Sequence, residues 1–267
     1  LADWALSSCE RQEFSFVSVA RTAAVNVKGA YAQVAAATGF AYSSITLCMY
    51  GAGGGGDCYL VDIAIGPSGA EQVIVPNVLL DSMRGIPHGQ VSITLPVAIP
   101  AGVRIAARVQ EVTGGTRNVQ LSVIGRAGGF NASPSAAGDV VTYGANTATT
   151  NGVLIDQGSV VNVFGSWTEM TPATTRAHNI LAIVLGTNQT STASSAEFNL
   201  QLAIGDSGAE MVVAEWRTVL NGGVTRFGVN VFDIAASMPA GTRLSLRSKA
   251  TLAGSTDRVM TAIIIGG

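Results

Sequence analysis

Apolar and polar residues alternate with a period of two along most of this chain, the spacing of a strand with one buried face. In 118–124, Val119, Leu121 and Val123 face one way while Gln120 and Ser122 face the other. Val91, Ile93, Leu95 and Val97 alternate with Ser92, Thr94 and Pro96, and Val103, Ile105, Ala107 and Val109 alternate with Arg104, Ala106 and Arg108. Strands are expected at 13–18, 23–28, 31–36, 42–50, 58–65, 71–75, 91–97 plus 103–109, and 117–124, separated by Gly, Pro, Asn and Ser turns at sandwich-like spacing. No window carries a sustained helical stripe; Asn77 to Met83 suits a single helical turn. The longest apolar run, around Ile180 to Leu185, is strand-sized, so no membrane-inserted helix is expected.

The same pattern is written twice. Ile65-Gly66-Pro67-Ser68-Gly69-Ala70-Glu71 returns as Ile204-Gly205-Asp206-Ser207-Gly208-Ala209-Glu210, and Pro100-Ala101-Gly102-Val103-Arg104 as Pro239-Ala240-Gly241-Thr242-Arg243, both at an offset of 139. Val25-Asn26-Val27-Lys28-Gly29-Ala30-Tyr31 matches Val161-Asn162-Val163-Phe164-Gly165-Ser166-Trp167 at 136, and Val123-Ile124-Gly125 matches Ile264-Ile265-Gly266 at 141. A repeat this long is a duplicated domain rather than a solenoid unit. The chain therefore reads as all-β: two tandem jelly-roll-like antiparallel sandwiches, copy one over 1–130 and copy two over 131–267, with a small-residue linker at 128–150.

Charged residues are only 12% of the 267, with 32 glycines. A weakly charged, small-residue-rich surface suits either a subunit that packs against neighbours or a tight sandwich with few long side chains. Residues 1–130 hold eight basic and eight acidic side chains and 131–267 hold seven and nine, so neither half is a polycation and nucleic-acid binding is not expected. The three cysteines, Cys9, Cys48 and Cys58, are no disulfide framework, although Cys48 and Cys58 would face each other if Tyr50 and Tyr59 flanked a hairpin loop. The chain starts at Leu1 with no visible signal peptide, which fits a processed or truncated start.

Each candidate for chemistry can be checked against its twin. Gly205-Asp206-Ser207-Gly208 has the look of a serine nucleophile motif, but the twin holds Pro67 for the aspartate, which is how a tight turn behaves. A triad also needs a base, and the two histidines, His88 and His178, are not at twin positions. Gly51 to Gly56 fits a phosphate-loop string, but a strand follows it where a helix is needed. Cys48, Asp57, Cys58 and His88 fit no zinc spacing. No catalytic, cofactor or metal residues are assigned, and no enzyme activity is expected. Gly66, Gly69, Gly102, Gly205, Gly208 and Gly241 read as turn glycines. Glu71 with Arg104, and Glu210 with Arg243, read as intradomain pairs or as subunit contacts. Tyr31 and Trp167 are core or edge aromatics, or a sugar-stacking platform.

Taken together, the Lys-Gly-(Ala/Ser)-aromatic start, the Ile-Gly-x-Ser-Gly-Ala-Glu turn, and Pro-Ala-Gly-x-Arg followed by a glycine-containing apolar strand resemble virion-associated structural proteins of tailed bacteriophages. The resemblance covers about 22–125 and 160–267. It implies a virion location, with assembly in the host cytoplasm, as a capsid decoration, collar, fibre or tail subunit. The implied partners are other copies of the chain and other virion proteins. A glycan-binding adhesin module is the alternative, with host-surface glycan as partner. The motifs are turn signatures, so no catalytic role comes with them.

Overall fold

The computed structural model describes residues 10–22, 24–51, 57–82, 90–112, 118–127, 140–187, 196–220, 230–252 and 260–267. These residues form strands and turns, with no helix among them. Copy one contributes β1 (Arg11–Glu13), β2 (Val17–Ala20), β3 (Ala32–Ala35), β4 (Ser44–Gly51), β5 (Asp57–Ile65), β6 (Gln72–Ser82), β7 (Gln90–Leu95), β8 (Ile105–Glu111) and β9 (Asn118–Arg126). Copy two contributes β10 (Val141–Tyr143), β11 (Val153–Ile155), β12 (Thr168–Thr171), β13 (His178–Thr187), β14 (Ala196–Ile204), β15 (Met211–Leu220), β16 (Asn230–Met238), β17 (Leu244–Ala250) and β18 (Met260–Gly266).

Every ladder is antiparallel, and the two copies share one topology. In copy one a sheet ordered β1-β9-β4-β7, with β2 also on β9, faces a sheet ordered β3-β8-β5-β6. In copy two β10-β18-β13-β16, with β11 on β18, faces β12-β17-β14-β15. Alternation explains the cores. Ile45, Leu47 and Met49 of β4 and Val119, Leu121 and Val123 of β9 are buried with Tyr59, Val61 and Ile63 of β5. Leu181, Ile183 and Leu185 of β13 are buried with Phe198, Leu200 and Leu202 of β14. Matched glycines make room for matched rings: a Cβ on Gly266 would lie 2.5 Å from the His178 ring, and one on Gly125 would overlap the Tyr42 ring.

Several expected elements differ. The 13–18 strand is split into β1 and β2. The described residues of 23–28 form no strand: Asn26, at φ 58°, turns the chain and its N–H donates to Glu111 O at 2.8 Å. Asn162 repeats this at φ 59°, donating to Ala250 O at 2.9 Å. Asparagine tolerates that left-handed geometry better than most side chains, and a period-two count cannot see it. Of the helical turn expected over Asn77 to Met83, residues 77–82 lie inside β6 and Met83 lies outside the described residues; Asn77 (φ 52°) sits at a ladder irregularity and its N–H donates to Asp62 Oδ1 at 2.9 Å. The 91–97 and 103–109 pair are β7 and β8, which belong to opposite sheets. The first part of the expected linker, 128–139, lies outside the described residues, and its end already forms β10.

The two sandwiches close on each other through one sheet of copy two. On β13 and β18 the residues that alternate with the copy-two core, Ala182, Val184, Ile263 and Ile265, are buried together with Val140 in the core cluster of copy one. β10, β13 and β18 lie against β6, and β16 against β7. Polar contacts close the rim. Gln110 Nε2 donates to Thr147 O and Thr150 Oγ1, both at 2.8 Å, Thr150 Oγ1 donates to Asn26 Oδ1 at 2.7 Å, and Thr142 Oγ1 donates to Pro76 O.

Candidate functional site

All six turn glycines have positive φ: Gly66 113°, Gly69 86°, Gly102 74°, Gly205 103°, Gly208 86° and Gly241 83°. Each motif is a clasp. In copy one Glu71 accepts from Gly69 N at 2.9 Å, and Arg104 Nη1 reaches Glu71 Oε1 at 3.0 Å and Gly66 O at 3.2 Å, tying the β5–β6 turn to the start of β8. In copy two Glu210 accepts from Gly208 N at 2.9 Å, and Arg243 Nη1 reaches Glu210 Oε1 at 3.2 Å and Gly205 O at 3.1 Å. Burial pushes both carboxyls up, but their own backbone N–H groups, the guanidinium and the glycine N–H outweigh it and hold them below the usual range. All the partners of these two pairs lie within their own copy.

The candidates for chemistry are dispersed. Ser207 occupies the tight turn closed by Ala209 N to Asp206 O at 2.9 Å, and Ser68 the same turn closed by Ala70 N to Pro67 O at 3.0 Å. His178 is buried, and its Nε2 is 2.7 Å from the hydroxyl of Tyr143, not bonded to Ser207. Burial, and then the nearby Arg176 charge, hold the His178 imidazole below its ordinary pKa. His88 and 52–56 of the glycine run lie outside the described residues. Cys48 on β4 and Cys58 on β5 lie in different sheets, so they do not face each other across a hairpin and form no disulfide together; Cys9 lies outside the described residues. Among the described residues no cluster of His, Cys, Asp and Glu could hold a metal.

What gathers polar side chains is the outer face of the β3-β8-β5-β6 sheet and of its counterpart in copy two. In copy one Asp62 accepts from Lys28 Nζ at 2.8 Å and Arg108 Nε at 2.9 Å, while Arg108 stacks 4.8 Å from the Tyr31 ring centroid. The Thr147–Thr150 segment caps this face through Gln110. Leu60 and Leu79, cross-strand neighbours there, are fully buried.

In copy two the same face is open and rebuilt. Asn199 and Arg217 occupy the places of Leu60 and Leu79 as cross-strand neighbours. Gln201 replaces Asp62, accepting from Arg247 Nε at 2.8 Å and donating to Glu215 Oε2 at 2.6 Å. Arg247 lies 4.1 Å from the Trp167 centroid and 4.7 Å from that of Phe164, and Lys249 lies 4.6 Å from Phe164. Beside this row a shallow cleft is lined by Asn162, Glu197, Asn199, Arg217, Lys249 and Thr251, with Arg217 paired to Glu197. Amides, cations and a carboxylate beside two half-buried aromatic rings can meet a polyhydroxylated ligand by hydrogen bonding and stacking. Of this set only Trp167 stood out as a candidate in the sequence. The missed signal was the polar replacement of Leu60 and Leu79 at twin positions, which pairwise motif matching passes over.

No family model matches the chain, and no curated protein matches it. Among solved structures, the chain is similar to the N-terminal CBM22-1–CBM22-2 tandem domain from Paenibacillus barcinonensis Xyn10C, at 11% identity over 98% of this chain and 91% of that one, with a TM-score of 0.27. It is similar to the cowpea mosaic virus top component at 10% identity, over 95% of this chain and 89% of that one, with a TM-score of 0.41. It is also similar to the infectious bursal disease virus VP2 subviral particle at 10% identity, over 99% and 73%, with a TM-score of 0.26. At these identities and scores nothing about function passes from them to this chain.

Proposed function

We propose that this chain is a structural component of a bacteriophage virion, a capsid decoration, collar, fibre or tail subunit, which works by packing sandwich faces against other proteins. The observation that carries the reading is the contact between the copies: a sheet face made of Ala182, Val184, Ile263 and Ile265, with Val140, has been given over to burial against a second sandwich. A chain that uses the outward side of β13 and β18 for contact between sandwiches, and carries only 12% charged residues, is suited to assembly. The turn motifs add the resemblance to tailed-phage structural proteins. Mass spectrometry of gradient-purified particles tests it: the chain is expected as a stoichiometric component, and its absence from intact particles would overturn the reading.

A non-enzymatic role is part of the proposal. Ser207 lies in a turn whose hydrogen bond is matched in the twin, and His178, the histidine among the described residues, is bonded to Tyr143 instead, which supports a serine that is not activated. A serine-directed fluorophosphonate is expected not to label the chain; stoichiometric labelling lost in Ser207→Ala would reverse this.

The open face of copy two supports a second reading, binding of host-surface glycan. Trp167 and Phe164 stand beside Gln201, Asn199 and Lys249 there, while the equivalent face of copy one is capped. Glycan-array binding that disappears in Trp167→Ala would support it, and an array with no signal for the unaltered chain would set it aside.

A further inference from the structure

β15 is an outer strand, and among the described residues its ladder partner is β14 alone. Its counterpart β6 is also an outer strand but is closed. Pro76 removes an N–H from it, Thr142 Oγ1 takes up the Pro76 carbonyl, and β10, β13 and β18 lie against it. β15 has no proline. Met211, Val212 and Val213 at its start are 60%, 43% and 36% exposed, whereas Ile74, the twin of Val213, is fully buried in the cluster that includes Ala182 and Ile263. An open strand edge with an exposed apolar run is a template for another strand.

The sequence of β15 says which strand fits. Outward from Trp216 in the two directions come Glu215 and Arg217, then Ala214 and Thr218, then Val213 and Val219, then Val212 and Leu220. Two copies of this strand run antiparallel about a two-fold axis at Trp216 set Glu215 of each in register with Arg217 of the other, and Ala214 in register with Thr218. Moving the axis to Glu215 or to Arg217 would set like charges opposite each other, which is unfavourable. Charges on an outer strand ordinarily guard it against pairing. Here the two have opposite sign and flank the axis, so self-pairing brings them together. Both lie on the open face, where Glu215 already takes Gln201 Nε2 at 2.6 Å and Arg217 is paired with Glu197. A guanidinium has five N–H donors, so the Glu197 pair leaves others for a second carboxylate.

We propose that the chain forms a two-fold dimer by antiparallel pairing of β15 with β15 of a second copy, centred on Trp216, which joins the two four-stranded sheets into one. The dimer goes beyond the virion reading and does not depend on where the protein sits.

Sedimentation of the full chain at micromolar concentration tests it. A dimer is expected, with Glu215→Lys and Arg217→Glu each sedimenting as monomers and the combined Glu215→Lys/Arg217→Glu chain as a dimer again. A monomeric unaltered chain, or a dimer indifferent to both reversals, would overturn the proposal while leaving particle composition to judge the virion reading. A second measurement reads the register without relying on charge reversal. In-register Cα atoms of an antiparallel pair lie about 4.5–5.5 Å apart, within disulfide reach. Mild oxidation is expected to cross-link a mixture of Glu215→Cys and Arg217→Cys chains and neither pool alone, above the level of the unaltered chain. Cross-linking within a single pool, or none in the mixture, overturns the Trp216-centred register.

Discussion

Replacing Asp62 by alanine should destabilise copy one far more than replacing its twin Gln201 destabilises copy two. The Asp62 side chain is 4% exposed and accepts three bonds: Lys28 Nζ at 2.8 Å, Arg108 Nε at 2.9 Å and Asn77 N at 2.9 Å. The Lys28 side chain is itself only 16% exposed, and burial already holds its ammonium below the usual lysine pKa in spite of the Asp62 charge. Without Asp62 that ammonium keeps, among the described residues, Leu60 O at 3.0 Å. Breaking a buried ion pair from one side costs about 3–5 kcal/mol. Arg108, one-third exposed, retains water, which places the expected loss near the lower end, about 3 kcal/mol, roughly a hundredfold in the unfolding constant. Gln201→Ala removes bonds to Arg247 and Glu215, but Glu215 is exposed and Arg247 keeps its aromatic neighbours, so about 1 kcal/mol is expected. Urea unfolding followed by far-ultraviolet circular dichroism measures both. Replacing Lys28, Asp62 and Arg108 together by apolar residues should recover much of the loss. If Asp62→Ala costs no more than Gln201→Ala, the trio is not a buried charge network, and the contrast between the capped and open faces fails with it.

Two further outcomes follow from the turns and the buried imidazole. Gly205→Ala should cost more than Gly208→Ala. Both have positive φ, but a Cβ on Gly205 would lie 2.9 Å from Ala209 O while one on Gly208 meets nothing within 4 Å; thermal melting of the two variants should show the order, and equal losses would mean backbone strain alone matters. The folded-state pKa of His178 is depressed, so the unfolded chain takes up the proton first. The stability from a neutral His178 is therefore full above the unfolded imidazole pKa and lost as pH falls through the folded one. The melting temperature should drop on acidification through that window, and His178→Phe should flatten this part of the profile.

The period-two pattern and the repeats settle which residues face each core and that the two copies share a topology, because those follow from local alternation and from comparing a chain with itself. Gly66, Gly205 and their companions were legible for the same reason: a turn that needs positive φ marks its position with glycine wherever it recurs. The split of the first strand and the turn at Asn26 were not legible, since an asparagine in the left-handed region leaves the hydrophobic count unchanged. Nor was the seating of the Tyr42 and His178 rings over Gly125 and Gly266, which joins positions that meet only when β4 pairs β9 and β13 pairs β18.

The open face belongs to the tertiary structure. Leu60 and Leu79, and Asn199 and Arg217, occupy equivalent places on equivalent sheets, and the pairing of the strands alone does not say what lies over either pair. The difference is set by what lies over them: copy two, through Thr142, Thr147 and Thr150, covers one face, and among the described residues no equivalent segment caps the other. Alternation is a property of one strand and can be read along it. Burial of the outward side of a sheet depends on where the other domain docks, and that contact joins Pro76 to Thr142 and Gln110 to Thr150, residues dozens of positions apart whose meeting only the folded chain decides.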